Sequence, residues 1–291
     1  MNPWQLVHKI RLRMAELILG DRAQGLAASA NFHRIEQTNS ADIFIAAFPK
    51  SGVTWVQHMV AGALFGPSLA HAPNKLIQDL VPDVHQTPYY RRYLTPTFFK
   101  THQVPRASYR RVIHLVRDGR DALVSYHHYL VAKGGSADFM KLVTAGDGSS
   151  FSRWHEHTEA WLANPHRAEV LRVSYEGLKR APLEELERIC RFADITRSRT
   201  DLEEAVRVSS FEAMREKDKK EDWIQPKVRG SDERFVRRGT VGSHKDEMPA
   251  AVLQAFLELS APTLRKLGYM VEPAMHLLTP SHQWTTAKGS A

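Results

Sequence analysis

Cysteine is nearly absent: Cys190 stands alone, so no internal disulfide can form. It falls in the apolar spacing Leu183, Leu186, Ile189, Cys190, Phe192, which reads as an inert thiol in a helix core. The lack of disulfides fits a cytoplasmic location, which is the expectation here. No run of residues approaches the roughly eighteen apolar positions of a membrane span. A secretory apolar segment is missing too, because Lys9, Arg11, Arg13 and Glu16 interrupt the first residues. Zinc-binding cysteine sets, basic heptads and aromatic RNA-binding signatures are all lacking, so no nucleic-acid partner is expected. Neither repeats nor a clear linker divide the chain. One domain is expected over 1–291, with a core at 40–270, an N-terminal helix and connector at 1–39 and a tail at 271–291.

What is present is a globular composition of 291 residues, 43% hydrophobic and 25% charged. Forty basic against 32 acidic residues give a net charge of +8. Such a balance favours an anionic partner, and a small, multiply charged ligand explains it better than nucleic acid. Trp4, Val7, Ile10, Met14 and Leu17 form one apolar stripe at helical spacing, flanked by basic residues. That helix packs on the domain or makes peripheral membrane contact through residues 4–17.

The central stretch is IFIAAFPKSGVTW, Ile43 to Trp55. An apolar run from Ile43 to Phe48 reads as a buried strand and breaks at Pro49; Ser51 and Gly52 follow. From Thr54 a helical period takes over through Trp55, Met59, Ala63 and Leu64. A loop entering a helix offers unpaired N–H groups and the positive end of the helix dipole, which suits a phosphate. Lys50 adds a charge, and Ser51 and Thr54 add hydroxyls. The lysine precedes the only glycine, so the GxxxxGK[ST] pattern is not met. An ordinary strand-to-helix turn with an exposed lysine is the plain alternative.

Further strands are expected at Phe98-Phe99, Arg111 to Val116 and Val170 to Ser174. Helices are expected from Gly119 to Lys133, Phe151 to Ala163, Pro182 to Ala193 and Pro249 to Leu267. The stretches 21–40, 67–96, 144–152 and 217–245 read as irregular, the last as a charged loop holding Arg229, Arg234, Arg237, Arg238 and Lys245. Alternation of strands and helices predicts an α/β, three-layer fold. Its central sheet is mainly parallel, with helices on both faces and a strand–loop–helix phosphate site. Ligands bind beyond the carboxyl ends of such strands. Lys50, His102, Arg117 and Tyr175 each lie just past a predicted strand, which points to one site. His155 and His157 are two apart and face different sides of a helix, so a structural role is expected, and no metal.

Several segments carry a resemblance. PKSGVTW (49–55) closely resembles the PKSGTTW signature of the cytosolic-type sulfotransferase family. That signature holds the 5′-phosphosulfate of 3′-phosphoadenosine 5′-phosphosulfate (PAPS), which assigns Lys50, Ser51, Gly52, Val53, Thr54 and Trp55 to the donor. RVIHLVRDGRDALVSYHHY (111–129) looks like the second signature, whose arginine and serine, here Arg117 and Ser125, hold the 3′-phosphate. FVRRGTVGSHK (235–245) is similar to RKGxxGDWK, with Arg237, Arg238 and Gly239 completing that clamp. Tyr175 matches a tyrosine touching adenine. Ser209 and Phe211 match a Thr-Ser-Phe segment whose ring sandwiches the base with Trp55. KTH (100–102) resembles the segment whose histidine is the general base, so His102 takes that role while Lys50 and Lys100 neutralise developing charge.

The resemblance covers about residues 43–267. It implies transfer of a sulfuryl group from PAPS to a hydroxyl, or secondarily an amine, of a small, partly apolar acceptor, leaving 3′-phosphoadenosine 5′-phosphate. Val53 replaces a threonine of the pattern, and Ser243-His244 replace Asp-Trp. The family's Thr-Val dimer motif is not matched after Lys245, which leaves the oligomeric state open. Rival readings are a magnesium-dependent ATP kinase of small molecules, a non-enzymatic nucleotide- or RNA-binding protein, and the same fold acting on a membrane-borne acceptor.

Overall fold

The computed structural model describes residues 31–134, 138–148, 153–221, 223 and 234–270. The expected helix at 4–17, Arg229 and the tail at 271–291 lie outside these residues. Among the described residues six strands appear in chain order: β1 (Phe32–Arg34), β2 (Ile43–Ala47), β3 (Tyr89–Arg91), β4 (Phe98–Thr101), β5 (Arg111–Val116) and β6 (Glu169–Ser174). The apolar runs β2, β4, β5 and β6 make one four-stranded sheet in the order β4-β2-β5-β6, parallel throughout. β1 and β3 pair antiparallel as a separate ribbon.

Helices fill the connections as α1 (Val53–Phe65), α2 (Asn74–Leu80), α3 (Gly119–Ala132), α4 (Phe139–Thr144), α5 (Trp154–Ala163), α6 (Tyr175–Arg180), α7 (Pro182–Phe192), α8 (Arg199–Val208), α9 (Phe211–Glu221), α10 (His244–Glu247) and α11 (Ala250–Lys266). Successive strand residues point to opposite faces. Ile43, Ile45, Ala47, Ile113, Leu115 and Val173 therefore pack with α1, α2, α7 and α8. Phe44, Ala46, Phe99 and Val112 meet Trp161 of α5 on the other face. Leu123, Leu142 and Phe256, from α3, α4 and α11, join Phe48 in a third cluster. The three-layer α/β expectation holds. Cys190 is buried on α7, and burial pushes its thiol up to about 11, as an inert core position requires.

Register positions the site. Ile45 sits between Lys100 and Ile113 across the sheet, so β2, β4 and β5 end side by side. Residues just beyond those ends are brought together.

Two stretches read as irregular are ordered. Residues 67–96 contain a 3₁₀ turn (Pro67–His71), α2 and β3, and 217–221 belong to α9. Helix α9 escapes a hydropathy reading because FEAMREKDKKE buries only Met214 and Asp218. No helix among the described residues is long and apolar enough to cross a membrane.

Candidate functional site

The chain leaves β2 through a sharp turn. Lys50 (φ 64°) and Gly52 (φ 95°) both adopt left-handed backbone, and Gly52 is the cap residue of α1. Lys50 has a Cβ there, a conformation that costs about 1 kcal/mol. A Cβ on Gly52 would come within 2.7 Å of the Tyr175 ring, so glycine is what admits the tyrosine. The Lys50 ammonium lies 3.6 Å from the Phe235 ring centre and 4.8 Å from that of Tyr129. It donates to the Phe235 carbonyl at 3.4 Å. Burial, followed by the charges of Arg117 and Lys100, brings its pKa down to about 7.

Arg117, buried just past β5, ties the site together. It donates to the Lys50 carbonyl at 2.9 Å and to the Thr240 carbonyl at 3.2 Å. Its guanidinium lies 4.2 Å over the Tyr175 ring, and Trp55 meets that ring edge-on at 5.9 Å. One turn into α3, the fully buried Asp121 accepts from the Gly242 amide at 2.6 Å, the His244 amide at 2.9 Å and His244 Nδ1 at 2.7 Å. Burial works against its charge, but these bonds hold the carboxyl at about 2. Residues 242–244 are thereby pinned to α3. Gly239 (φ 62°) supports the face of Phe211, whose ring occupies the space a Cβ would need.

Ser51 Oγ, Trp55 Nε1, Arg117 Nε and Arg237 Nε are all buried without a hydrogen-bond partner. Buried donors left unpaired cost about 1–3 kcal/mol each. These four come from the three segments that sequence patterns had singled out. Such a donor set suits a multiply charged anion with an aromatic base.

Glu247 of α10 was missed by sequence reasoning. Its carboxylate takes Arg237 by two bonds, at 2.6 and 3.0 Å, and Arg238 by one at 2.8 Å. His128 Nε2 lies 3.0 Å away. Arg237 and Arg238 thus share one internal counter-charge, and Arg237 Nε stays without a partner. Val53 and Thr54 are buried in the first turn of α1, and Ser125 is half-buried on α3. Ser209 is also buried, but its hydroxyl donates to the Ala205 carbonyl at 2.6 Å, inside α8.

Lys100 and His102 stand at the end of β4. Lys100 Nζ lies 2.9 Å from Asp83 Oδ2. His102 Nδ1 bonds the Ala47 carbonyl at 2.7 Å. A carbonyl only accepts, so the proton sits on Nδ1 and the basic lone pair on Nε2. Burial first, then Lys100, lower its pKa to about 3. The His102 amide donates to His85 Nε2 at 3.0 Å. Asp83 and His85 lie in a stretch read as irregular, where no local pattern marks them. His157 is buried beside Phe48, in keeping with a structural role. No group of three metal-ligating side chains occurs among the described residues.

Comparison with known proteins places the chain in a family. A family model described as a sulfotransferase domain covers residues 40–268. Sulfotransferase 1B1 of Mus musculus is 27% identical over 246 residues, spanning 76% of this chain and 82% of that protein. Luciferin sulfotransferase of Photinus pyralis is 24% identical over 298 residues, spanning 88% and 80%. Among solved structures, retinol dehydratase in complex with androsterone and the inactive cofactor PAP superposes with a TM-score of 0.62 at 18% identity, covering 78% of this chain and 81% of its own. A mouse sulfotransferase complexed with PAP gives 0.55 at 20% identity, covering 78% and 86%. At such identities the structural likeness shows a common fold.

Proposed function

Because this chain belongs to the sulfotransferase domain family, we propose that Lys50–Trp55, Arg117 and Arg237–Gly239 hold PAPS, and that His102 takes the proton of an acceptor hydroxyl. The observation carrying this reading is the set of buried, unpartnered donors on Ser51, Trp55, Arg117 and Arg237. They fit a ligand with phosphates on two positions of a sugar that also carries an aromatic base. When bound, PAPS supplies an activated sulfuryl group.

The protein's part is positioning and charge. Arg117 fixes the Lys50 loop against the 240 loop, so both phosphate ends are set relative to each other. Lys50, with a pKa near 7 while surrounded by cations, gains its proton fully beside a bound anion. It then faces the oxygen on which charge develops, with Lys100 alongside. His102 Nε2 accepts the acceptor's proton as its oxygen attacks. A depressed pKa keeps that nitrogen unprotonated, and the negative donor raises its basicity toward the working range. This scheme uses no metal.

The aromatic groups Tyr129, Trp223 and Phe235 gather by Lys50, which supports a small, partly apolar acceptor bearing a hydroxyl, with an amine second. The resemblance of the sequence motifs to cytosolic-type sulfotransferases and the single inert thiol support a cytoplasmic location. Residues 1–291 are proposed to form a single domain around the core at 40–270.

A thermal-shift titration tests the reading, comparing adenosine 3′,5′-bisphosphate with ADP and ATP, with and without magnesium. A ligand at about a hundred times its dissociation constant stabilises by about 2.7 kcal/mol. Stabilisation by the bisphosphate without metal is expected; preference for ATP with magnesium would turn the reading to phosphoryl transfer. In calorimetric titrations Arg237→Ala should weaken bisphosphate binding by about 1.5–3 kcal/mol, the loss of one charged hydrogen-bonding partner. Unchanged affinity would remove Arg237 from the clamp.

A further inference from the structure

The irregular segment before the ribbon runs alongside the reaction centre. Lys100 N donates to the Pro82 carbonyl at 2.9 Å, and Val84 N to the Lys100 carbonyl at 3.0 Å. Asp83 and Lys100 thus form a parallel bridge that adds one more rung outside β4. Residues two apart share a face of an extended chain. Lys100 and His102 are therefore matched, step for step, by Asp83 and His85. We propose that Asp83 and His85 are positioning residues for the reaction, Asp83 holding Lys100 and His85 holding His102. The inference rests on His102 being the base.

The contacts are specific ones. Asp83 Oδ2 lies 2.9 Å from Lys100 Nζ, with the carboxylate side chain only 5% exposed. Asp83 is itself held, accepting from the His85 amide at 2.9 Å and from Gln86 Nε2 at 3.2 Å. His85 Nε2 accepts the His102 amide at 3.0 Å, and the two rings lie 5.9 Å apart, inclined by 16°. Accepting an N–H requires a lone pair, so His85 is neutral with its proton on Nδ1. His102 is then fixed at two points: its main chain by His85 and its ring by the Ala47 carbonyl. Two fixed points define where Nε2 stands, and proton abstraction depends on that placement to fractions of an ångström. Asp83 does the same for the lysine, aiming a buried ammonium that would otherwise turn toward other partners.

The test compares His85→Ala, His85→Gln and Asp83→Asn with His102→Ala in the full chain. The first readout needs no acceptor. In nitrogen-15 NMR of labelled histidine, the His102 Nδ1–H signal should shift and broaden in His85→Ala. It should return in His85→Gln, whose amide oxygen also accepts. The second readout is turnover with PAPS and 2-naphthol. His85→Ala and Asp83→Asn should each lower kcat about 10-fold or more, with bisphosphate affinity within about twofold. His85→Gln should recover most of the loss at an unchanged melting temperature. An unaltered His102 signal and wild-type kcat in His85→Ala, beside an inactive His102→Ala, would overturn the proposal and leave the base assignment standing. A fall in melting temperature with kcat per folded molecule intact would also overturn it. Wild-type turnover by His102→Ala would instead remove the base reading itself.

Discussion

Replacing His102 with alanine should abolish turnover, lowering kcat by about 10²–10⁴-fold, the range contributed by a positioned general base. Binding of adenosine 3′,5′-bisphosphate should stay within a few-fold of wild type. The reason is geometric: His102 is bonded to the Ala47 carbonyl and to His85, while the unpartnered atoms proposed to hold the donor lie on the Lys50 loop, Arg117 and Arg237. Removing the imidazole deletes the proton acceptor without touching the clamp. Steady-state kinetics and calorimetry on the same preparation separate the two quantities. Parallel losses in both would mean that His102 supports the donor site instead.

Asp121→Ala should produce the largest loss of stability, about 3 kcal/mol, because the half-buried amide of Gly242 and the buried amide of His244 lose their acceptor at about 1–3 kcal/mol each. For a domain of this size that lowers the melting temperature by roughly 6–12 °C. Bisphosphate affinity should fall with it, since residues 242–244 adjoin Thr240, the carbonyl that receives Arg117. The sign with pH follows from the lowered carboxyl. Its folded pKa is about 2, against a usual value of 3.8. Its contribution is complete above the unfolded value and fades as pH drops through 3.8 toward 2. Wild type and variant should therefore converge in melting temperature near pH 2 and differ fully above about pH 5. A variant melting like wild type at neutral pH would show that other contacts hold the loop.

Much of this was legible in the sequence, for a physical reason. Ile43 to Val116 alternates runs apolar enough to be buried on both faces with helical periods, and burial of that kind has few solutions. The PKSGVTW turn was readable because a left-handed glycine and the residues around it leave a local trace. Helix α9 was not, since its few buried residues give no period. Glu247 and the Asp83–His85 pair were also hidden, because their contacts are made with partners 9, 10 and 17 residues away, beyond the reach of a local helix or strand period. Nothing near Glu247 announces that Arg237 and Arg238 will turn to it. Ser209 shows the converse. A match to a nucleotide-binding pattern marked it, yet in the fold its hydroxyl serves the turn of its own helix.

The contacts of Arg117 have a bearing on folding. Its two carbonyl partners lie 67 and 123 residues away, and Lys50 reaches Phe235 across 185. Closing segments of such length costs conformational entropy that grows as about 1.5 RT ln n, and no single turn or hairpin can repay it locally. The anion site is consequently a late product of the topology, complete only when both ends of the core have met. A fragment ending before Phe235 would retain the PKSGVTW loop and still bind no nucleotide. Occupancy by the bisphosphate thus gauges whether the segments from Lys50 to Thr240 have come together.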